Sequence, residues 1–313
     1  MRKSLFLLTT ICLASCATTE TGDAKKKAGA PDWIDNPAAA CASNELCAVG
    51  EGRTSKSAKA DARAALGKIF ETKVASSFEN VLTQNDDDTH ERLRDSVSEQ
   101  SDIVLEAVEI RETYDDKGRV SALAVLDKDK ASKLFKRDME KLDEDMEEML
   151  SRKTPPSAIR LEKLYAERSG LNRRYVVLTG KNRTESLSYA DVMAYKKAVT
   201  GKKIHLTTKG GRAFDKAIRN AMIENGYAFV SDPEKAAAKV TATVESDEQY
   251  LNVKGFVKFA FRFTLRGPDK TGKQVEQLVE SFDETGRNEV QAAANATEAL
   301  KKYLSEHLVD VKF

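Results

Sequence analysis

The chain has 313 residues, with 51 lysines and arginines against 50 aspartates and glutamates and a formal net charge of +1 at pH 7. Both signs are spread along the chain without a basic stripe, so the composition argues against nucleic-acid binding. A hydrophobic share of 41% supports a packed core, and the length is sufficient for two ordinary domains.

The first sixteen residues have the pattern of a cleavable export signal. Two basic residues precede an apolar run that is too short to span a bilayer as a permanent helix. The run ends in Leu-Ala-Ser-Cys at residues 13–16, which resembles the lipobox of bacterial lipoproteins. The resemblance implies recognition of Leu13, Ala14 and Ser15 by a signal peptidase that cuts before Cys16. The alternative is an ordinary secretory signal in which the cysteine is incidental.

The lipobox implies that the protein is attached to a membrane through a lipid at its N-terminus. Cys16 would carry acyl chains on its thiol and its new amino group, and each buried methylene contributes about 0.8 kcal/mol to attachment. Ala17 stands where an inner-membrane retention signal usually places Asp, which favours the outer membrane of a two-membraned bacterium. No later apolar stretch approaches membrane-spanning length, so we expect lipid-anchored domains that face the periplasm.

Residues 16–30 form the predicted tether. They are rich in Ala, Thr, Gly and Lys without an apolar period, and a flexible chain of this length has a root-mean-square span of roughly 20 Å. Trp33 follows between Pro31 and Pro37 in a polar stretch. A lone Trp in this setting favours a plug that anchors the start of the first domain, and a ligand-binding Trp is the alternative.

The four cysteines reduce to one pair once their roles are separated. Cys12 leaves with the signal and Cys16 is acylated, which leaves Cys41 and Cys47. An even pair outside the cytoplasm predicts a disulfide. A metal or redox site is the alternative, but five intervening residues exceed the usual zinc spacing and no second ligand pair exists.

The first predicted domain covers residues 31–153. A short strand at 46–52 precedes a long helix that begins at Ser55, and a polar helical stretch covers 90–100. Two apolar runs follow at 103–114 and 120–126, separated by a hairpin turn, and a charged helix covers 130–152. The order predicts an α+β unit with an antiparallel sheet. The buried stripe of the long helix is predicted at Ala58, Ala62, Leu66, Ile69, Phe70, Val74, Phe78, Val81 and Leu82.

The second predicted domain covers residues 157–313, after a boundary at Thr154-Pro-Pro-Ser. It alternates helices with half-buried strands, so the fold class is α+β with two small domains, each an antiparallel or mixed sheet packed with helices. Predicted strands lie at 175–178, 204–208, 227–230, 240–253, 256–265 and 275–282. Predicted helices lie at 211–225 and 288–308, and the last one buries Val290, Ala293, Ala294, Leu300, Leu304 and Leu308.

An ordered set of motifs resembles the LPP-twenty family of bacterial outer-membrane lipoproteins. After the lipobox and tether come Pro-Asp-Trp from residue 31, Asn-Pro from 36, Val-Gly-Glu-Gly from 49 and an Ala- and Arg-rich helix from 58. The resemblance covers roughly residues 33–150. It implies a small α+β domain without known catalysis and a role in envelope or appendage assembly, flagellar structures included. The second half is similar, more faintly, to α/β domains of periplasmic lipoproteins that bind larger envelope machines.

Motifs that could carry chemistry are incomplete. Residues 50–55 could form a phosphate-binding turn, but a third glycine is missing and Glu51 would repel phosphate, so a plain tight turn is favoured. Lys-Thr-Gly at 270–272 lacks the Ser-x-x-Lys element of serine enzymes, and the acidic run at 86–88 lacks the Gly and Glu of a calcium loop. No catalytic residue, metal or cofactor is predicted.

The sequence therefore predicts a non-catalytic outer-membrane lipoprotein that binds and positions a larger envelope or appendage assembly, with an envelope protein as its partner. Two alternatives stay open. The chain could be a subunit of a self-assembling ring or secretion complex, with the strands between 240 and 265 pairing across copies as a homo-oligomer. It could also be a periplasmic enzyme or ligand-binding protein whose site is built from scattered residues.

Overall fold

The computed structural model of the protein describes residues 29–79, 106–269 and 271–313. Two sheets organise these residues, one of three strands and one of five, and helices pack against both. The predicted α+β class with antiparallel and mixed sheets is confirmed. None of the helices in these ranges is both long and apolar enough to cross a membrane. The predicted signal, Cys16, most of the tether and the stretches at 86–88 and 90–100 lie outside the described residues.

The first sheet has its strands in the order β1-β3-β2, so β3 pairs antiparallel with both neighbours. The predicted order of strand, helix, strand, strand and helix is confirmed. The helix α1 buries one residue in every four, from Ala58 to Val74, whereas Ile69 lies one position off this stripe and is exposed, against the prediction. The elements are β1 Glu45–Gly52, α1 Ser55–Glu79, β2 Val108–Asp116, β3 Arg119–Asp127 and α2 Lys128–Arg152.

Two glycines allow α1 to lie directly on β1. A Cβ atom added to Gly50 would lie 1.9 Å from the backbone N of Ala62, and one added to Gly52 would lie 2.2 Å from Oγ of Ser57. Both glycines belong to the strand predicted at 46–52, and the turn predicted within residues 50–55 occupies residues 53 and 54. Glycine is required here because the helix backbone occupies the space that a side chain would fill.

Helix α3, Pro155–Thr179, replaces the strand predicted at residues 175–178. Thr154 caps the helix in a reciprocal capping box with Ser157, and two prolines occupy the first turn, where their missing N–H groups cost nothing. The β-branched and aromatic residues near its end mimic a strand locally, but the packing of the whole helix decides. Leu161 and Leu171 join the core of the first sheet. The division between residues 153 and 157 stays a prediction, and it falls at a turn between two packed helices.

The second sheet is mixed. Its order is β5-β4-β6-β7-β8, with β5, β4 and β6 parallel and β6, β7 and β8 antiparallel. The strands predicted between 240 and 265 are β6 and β7, and β7 already has a partner on each side. Of the antiparallel strands, β8 is the one at the edge. The elements are α4 Tyr189–Val199, β4 Lys202–Lys209, α5 Arg212–Glu224, β5 Tyr227–Phe229, β6 Ala238–Gln249, β7 Val257–Pro268, β8 Gln274–Gly286 and α6 Glu289–His307.

Helices α5 and α6 cover one face of the second sheet. The ring centroids of Phe214 and Phe261 are 5.8 Å apart, and those of Phe263 and Tyr303 are 6.3 Å apart. Val290 and Ala294 are exposed, so the predicted stripe of α6 is wrong at these two positions. The buried face follows a spacing of four residues, which selects Ala292, Ala296, Leu300, Leu304 and Leu308.

The two sheets are connected at a region that we call the junction, where α2 ends and α3 and β4 begin. Arg152 donates to Oδ1 of Asp310 at 2.8 Å and to the carbonyl of Val309 at 3.2 Å. On the other side, Gly226 is so close to Pro155 that an added Cβ atom would lie 3.3 Å from it. The C-terminal residues and the start of β5 therefore meet the start of α3 at the junction.

Candidate functional site

The segment from residue 31 to residue 47, which we call the cap segment, lies across the outer face of the first sheet. Trp33 is only 5% exposed and packs on Leu123 and Val125, which are fully buried. Its indole Nε1 donates a hydrogen bond of 2.8 Å to Oε2 of Glu112. The apolar ring and the N–H group are thus both satisfied, as expected of a Trp that plugs a surface.

Strand β3 is buried on both faces, and this explains the plug. Ala122 and Ala124 face the core under α1, whereas Leu123 and Val125 face Trp33. The strand consequently reads Val-Ser-Ala-Leu-Ala-Val-Leu without polar alternation. A continuous apolar run of this kind indicates that both faces of a strand are covered. This signal in the sequence could have assigned the position of the plug as well as its existence.

A disulfide joins Cys41 to Cys47 within the cap segment, with a Cα–Cα distance of 6.0 Å. Cys47 lies opposite Val125 in the register of β1 and β3, and it packs in the same cluster as Trp33. The cross-link therefore closes the part of the cap segment that follows the Trp and leads into β1.

An ion pair between Arg111 on β2 and Glu45 also holds the loop that the disulfide closes. Arg111 donates to both carboxylate oxygens of Glu45, at 2.6 and 2.9 Å, and to the carbonyl of Ala40 at 3.3 Å. The register between β2 and β3 shifts between Ile110 and Glu112, so Arg111 is the extra residue of a β-bulge. A bulge redirects side chains at the edge of a sheet. Here it allows β2 to contact the cap segment through two successive residues.

Glu45 is the strongly perturbed carboxyl of the site. The hydrogen bond from Arg111, followed by that from the backbone N–H of Ala42, lowers the pKa of Glu45 to about 2. Charge-assisted, bidentate pairs are the strong class of hydrogen bond. The carboxylate consequently stays ionised at any pH that a cell envelope meets.

The same loop contains one group of atoms with metal-ligand chemistry among the residues of known structure. The sulfur atoms of Cys41 and Cys47 and a carboxylate oxygen of Glu45 lie within 4.8 Å of one another. The two sulfur atoms are bonded to each other and Glu45 is held by Arg111, so these donors are already used. The arrangement serves as a covalent and ionic fastening.

Two buried arginines on α3 form polar contacts that were not predicted from the sequence. Arg168 donates to Oδ1 of Asp143 at 3.0 Å and to the carbonyl of Thr184 at 2.9 Å. Arg174 donates to Oε1 of Glu71 at 3.2 Å. Both side chains are at most 1% exposed, so their charges need these partners. They fix α3 to α2 and α1, and their partners lie too far away in sequence to be recognised by spacing.

The structure thus brings Trp33, Cys41 and Cys47 into one site. The predicted signal-peptidase residues Leu13, Ala14 and Ser15, and the predicted lipidation residue Cys16, lie outside the described residues. Two histidines lie apart. His205 is on β4 near the carbonyl of Val230, and His307 is at the end of α6 beside Tyr303.

The residues of the cap segment and the first sheet coincide with the range that matches a known family. Residues 31–127 match the model of the LPP20 lipoprotein family. The predicted resemblance is confirmed, and it ends with β3 rather than at residue 150. The LPP20 match begins at the cap segment and supports a lipoprotein of the cell envelope. No curated protein shows a significant sequence match to this chain.

Solved structures give weaker similarities. The secreted protein HP1454 from Helicobacter pylori aligns over 85% of this chain and 97% of its own, with 11% identity and a TM-score of 0.40. The rare lipoprotein B from Shewanella oneidensis aligns over 34% and 88%, with 7% identity and a TM-score of 0.25. A minor lipoprotein from Acinetobacter baumannii aligns over 35% and 82%, with 18% identity and a TM-score of 0.23. TM-scores this low support no conclusion about fold or function.

Proposed function

We propose that this protein is a non-catalytic lipoprotein of the outer membrane that holds a larger envelope assembly close to that membrane. The LPP20 match and the lipobox at residues 13–16 support the lipid anchor at Cys16. The partner is an envelope or appendage protein, flagellar components included.

The fixed cap segment carries this proposal. Only the tether separates Cys16 from the cap segment, which is held by Trp33, by the disulfide and by the ion pair of Glu45 with Arg111. A scaffold needs such a start, because a membrane anchor can position a partner only if the chain after the tether is rigid. An enzyme released into the periplasm has no such requirement.

Helix α2 separates the attached end from the second sheet. The backbone N of Lys128 donates to the carbonyl of Asn44 in the cap segment, whereas Arg152 at the other end contacts the junction. A helix of 25 residues is about 37 Å long. The first sheet therefore serves as the mount, and the second sheet is held away from it and presents the partner surface.

The proposal is tested in the source bacterium with the full chain and a Cys16→Ala variant. Membrane fractionation is expected to place the wild-type protein with outer-membrane markers, and the variant, which is neither lipidated nor cut at this site, away from them. In-cell crosslinking followed by mass spectrometry is expected to recover envelope or appendage proteins with the wild type, and fewer with the variant. Recovery of no envelope protein, together with an unchanged envelope and unchanged motility after deletion, would reject the scaffold.

A further inference from the structure

The turn between β6 and β7 exposes large apolar side chains. We call residues 250–256, Tyr-Leu-Asn-Val-Lys-Gly-Phe, the hairpin tip. Tyr250 is 90% exposed, Val253 51% and Phe256 47%. Seven large hydrophobic residues are exposed in the part of the chain that the structure describes, and three of them fall within these seven positions. Such a concentration marks an interaction site, whereas single exposed apolar residues need no explanation.

The hairpin tip lies at the end of the second sheet that points away from the junction. Lys202, at the start of β4, pairs with Tyr227, which follows Gly226 at the junction. Strand β6 runs parallel to β4, so its carboxyl end lies at the opposite end of the sheet. Twelve residues of strand extend about 40 Å. The hairpin tip is thus remote from the junction, and the cap segment lies beyond the junction at the far end of α2.

The strands behind the hairpin tip extend beyond their neighbours. The pairing of β4 with β6 ends at Thr243 within the described residues, and every residue of β6 from Glu245 to Gln249 is exposed. Strand β7 continues to pair with β6 and β8 over this stretch, so the outer parts of the three strands form an arm. An arm that presents an apolar end in this way can reach into a recess on another molecule.

The charges on the arm separate two classes of partner. Lys254 is the one charged residue of the hairpin tip, but β6 carries Glu245, Asp247 and Glu248 directly behind it, with no basic residue between. On β7, Lys258 is paired with Asp283 at 2.8 Å and the exposed Arg262 lies opposite Glu245, so carboxylates remain in excess on the arm. An anionic bilayer surface would repel the three carboxylates as the apolar end approached. A protein cleft with an apolar floor and basic side chains at its border would attract them.

We propose that the hairpin tip docks into an apolar cleft, bordered by basic side chains, on a protein of the envelope assembly. This inference rests on the proposed function and deepens it, since it assigns the partner surface and the chemistry of the partner. Tyr250 and Phe256 would act as the anchors, because aromatic side chains dominate the binding energy of interfaces. The carboxylates of β6 would speed association and select the partner.

The first experiment places a photo-crosslinking amino acid at Val253 of the full lipidated chain in the source bacterium. The control places it at Ile223, which has a similar exposure of 56% but lies in the last turn of α5, at the junction end. The expected result is a discrete protein adduct from position 253 that position 223 does not give. Adducts only with lipid, or only with a second copy of this chain, would overturn the inference.

The second experiment measures the affinity of the captured protein, once purified, for the mature chain. The Tyr250→Ser and Phe256→Ser double variant is expected to bind at least about tenfold more weakly. Ile223→Ser is expected to change the affinity by less than about twofold. Added salt is expected to slow the association of the wild type but not that of the Asp247→Lys and Glu248→Lys double variant. Equal affinity of wild type and both double variants would overturn the inference.

Two further outcomes separate this inference from the proposed function. If the full chain still recovers an envelope assembly but the Tyr250→Ser and Phe256→Ser variant recovers it equally well, the docking site is wrong and the scaffold stands. If the mature chain with Cys16→Ser binds phosphatidylethanolamine and phosphatidylglycerol vesicles through the hairpin tip, the site contacts lipid and the inference fails. Circular dichroism of each variant verifies that it is folded.

Discussion

The cap segment and the hairpin tip expose their aromatic residues to opposite extents. Trp33 is 5% exposed and Tyr250 is 90% exposed, although each lies close in sequence to a turn-forming residue. The difference arises from the rest of the chain. Leu123 and Val125 provide Trp33 with a matching apolar surface, whereas the residues of β6 before Tyr250 are polar or charged and exposed. An aromatic side chain is thus buried where its own fold provides an apolar surface for it, and it stays exposed for a partner where the fold does not.

The largest expected effect is that of Trp33→Ala. Removing a buried aromatic side chain uncovers Leu123 and Val125 and leaves the carboxylate of Glu112 without its indole donor, at a cost of about 3–5 kcal/mol in the free energy of unfolding. Urea denaturation measures this. A loss below about 1 kcal/mol would mean that the cap segment does not cover β3 in solution.

The disulfide is expected to contribute less. The loop between Cys41 and Cys47 has a sequence separation of 6, and closing so short a loop stabilises the folded state by about 2 kcal/mol. The Cys41→Ser and Cys47→Ser double variant is compared with the wild type by urea denaturation, with and without reductant. The reductant should remove the difference between the two proteins. A difference that persists under reduction would assign the effect to the serine substitutions.

The ion pair of Glu45 and Arg111 makes the stability depend on pH. The pKa of Glu45 is lowered to about 2 from its ordinary 4.5, so its stabilisation is fully present above pH 4.5 and is lost as the pH falls toward 2. Glu45→Gln is expected to cost about 1–2 kcal/mol at pH 7 and to reduce the loss of stability below pH 4.5. Thermal unfolding from pH 7 to pH 2.5 measures both. Glu109→Gln, which changes a more exposed carboxylate near the same Arg, is the control.

The smallest expected effect is at the hairpin tip. Tyr250→Ala is expected to change the free energy of unfolding by less than about 0.5 kcal/mol, because the ring is outside both cores. The same urea experiment as for Trp33→Ala checks this. A loss of 2 kcal/mol or more would show that Tyr250 is held by its own fold, and the comparison between the two ends would fail.

The sequence predicts the elements whose signals are local. The apolar spacing along α2 and the alternation in β6 and β7 place these elements to within a few residues. Residues 175–178 mislead because four apolar residues in succession fit either a strand or a buried helix. The cysteine pair follows from counting. Arg111 and Glu45 were missed because they are 66 residues apart and meet only through a bulge. The exposure of Tyr250 could not be predicted from the sequence, since the residues around it would also fit the buried end of a strand.

The double burial of β3 orders the events by which the chain folds. A chain is made from its amino terminus, and under the proposed function it is exported in the same order, so Cys41 and Cys47 would leave the cytoplasm together and could join at once. Trp33 must wait for Glu112, which is 79 residues further along, and for the apolar residues of β3 after it. The disulfide loop can therefore close before the surface of β3 that it covers has formed. The first sheet then binds a cap segment that is already cross-linked. Until the cap segment docks, the outer face of β3 is open to chaperones or to other chains.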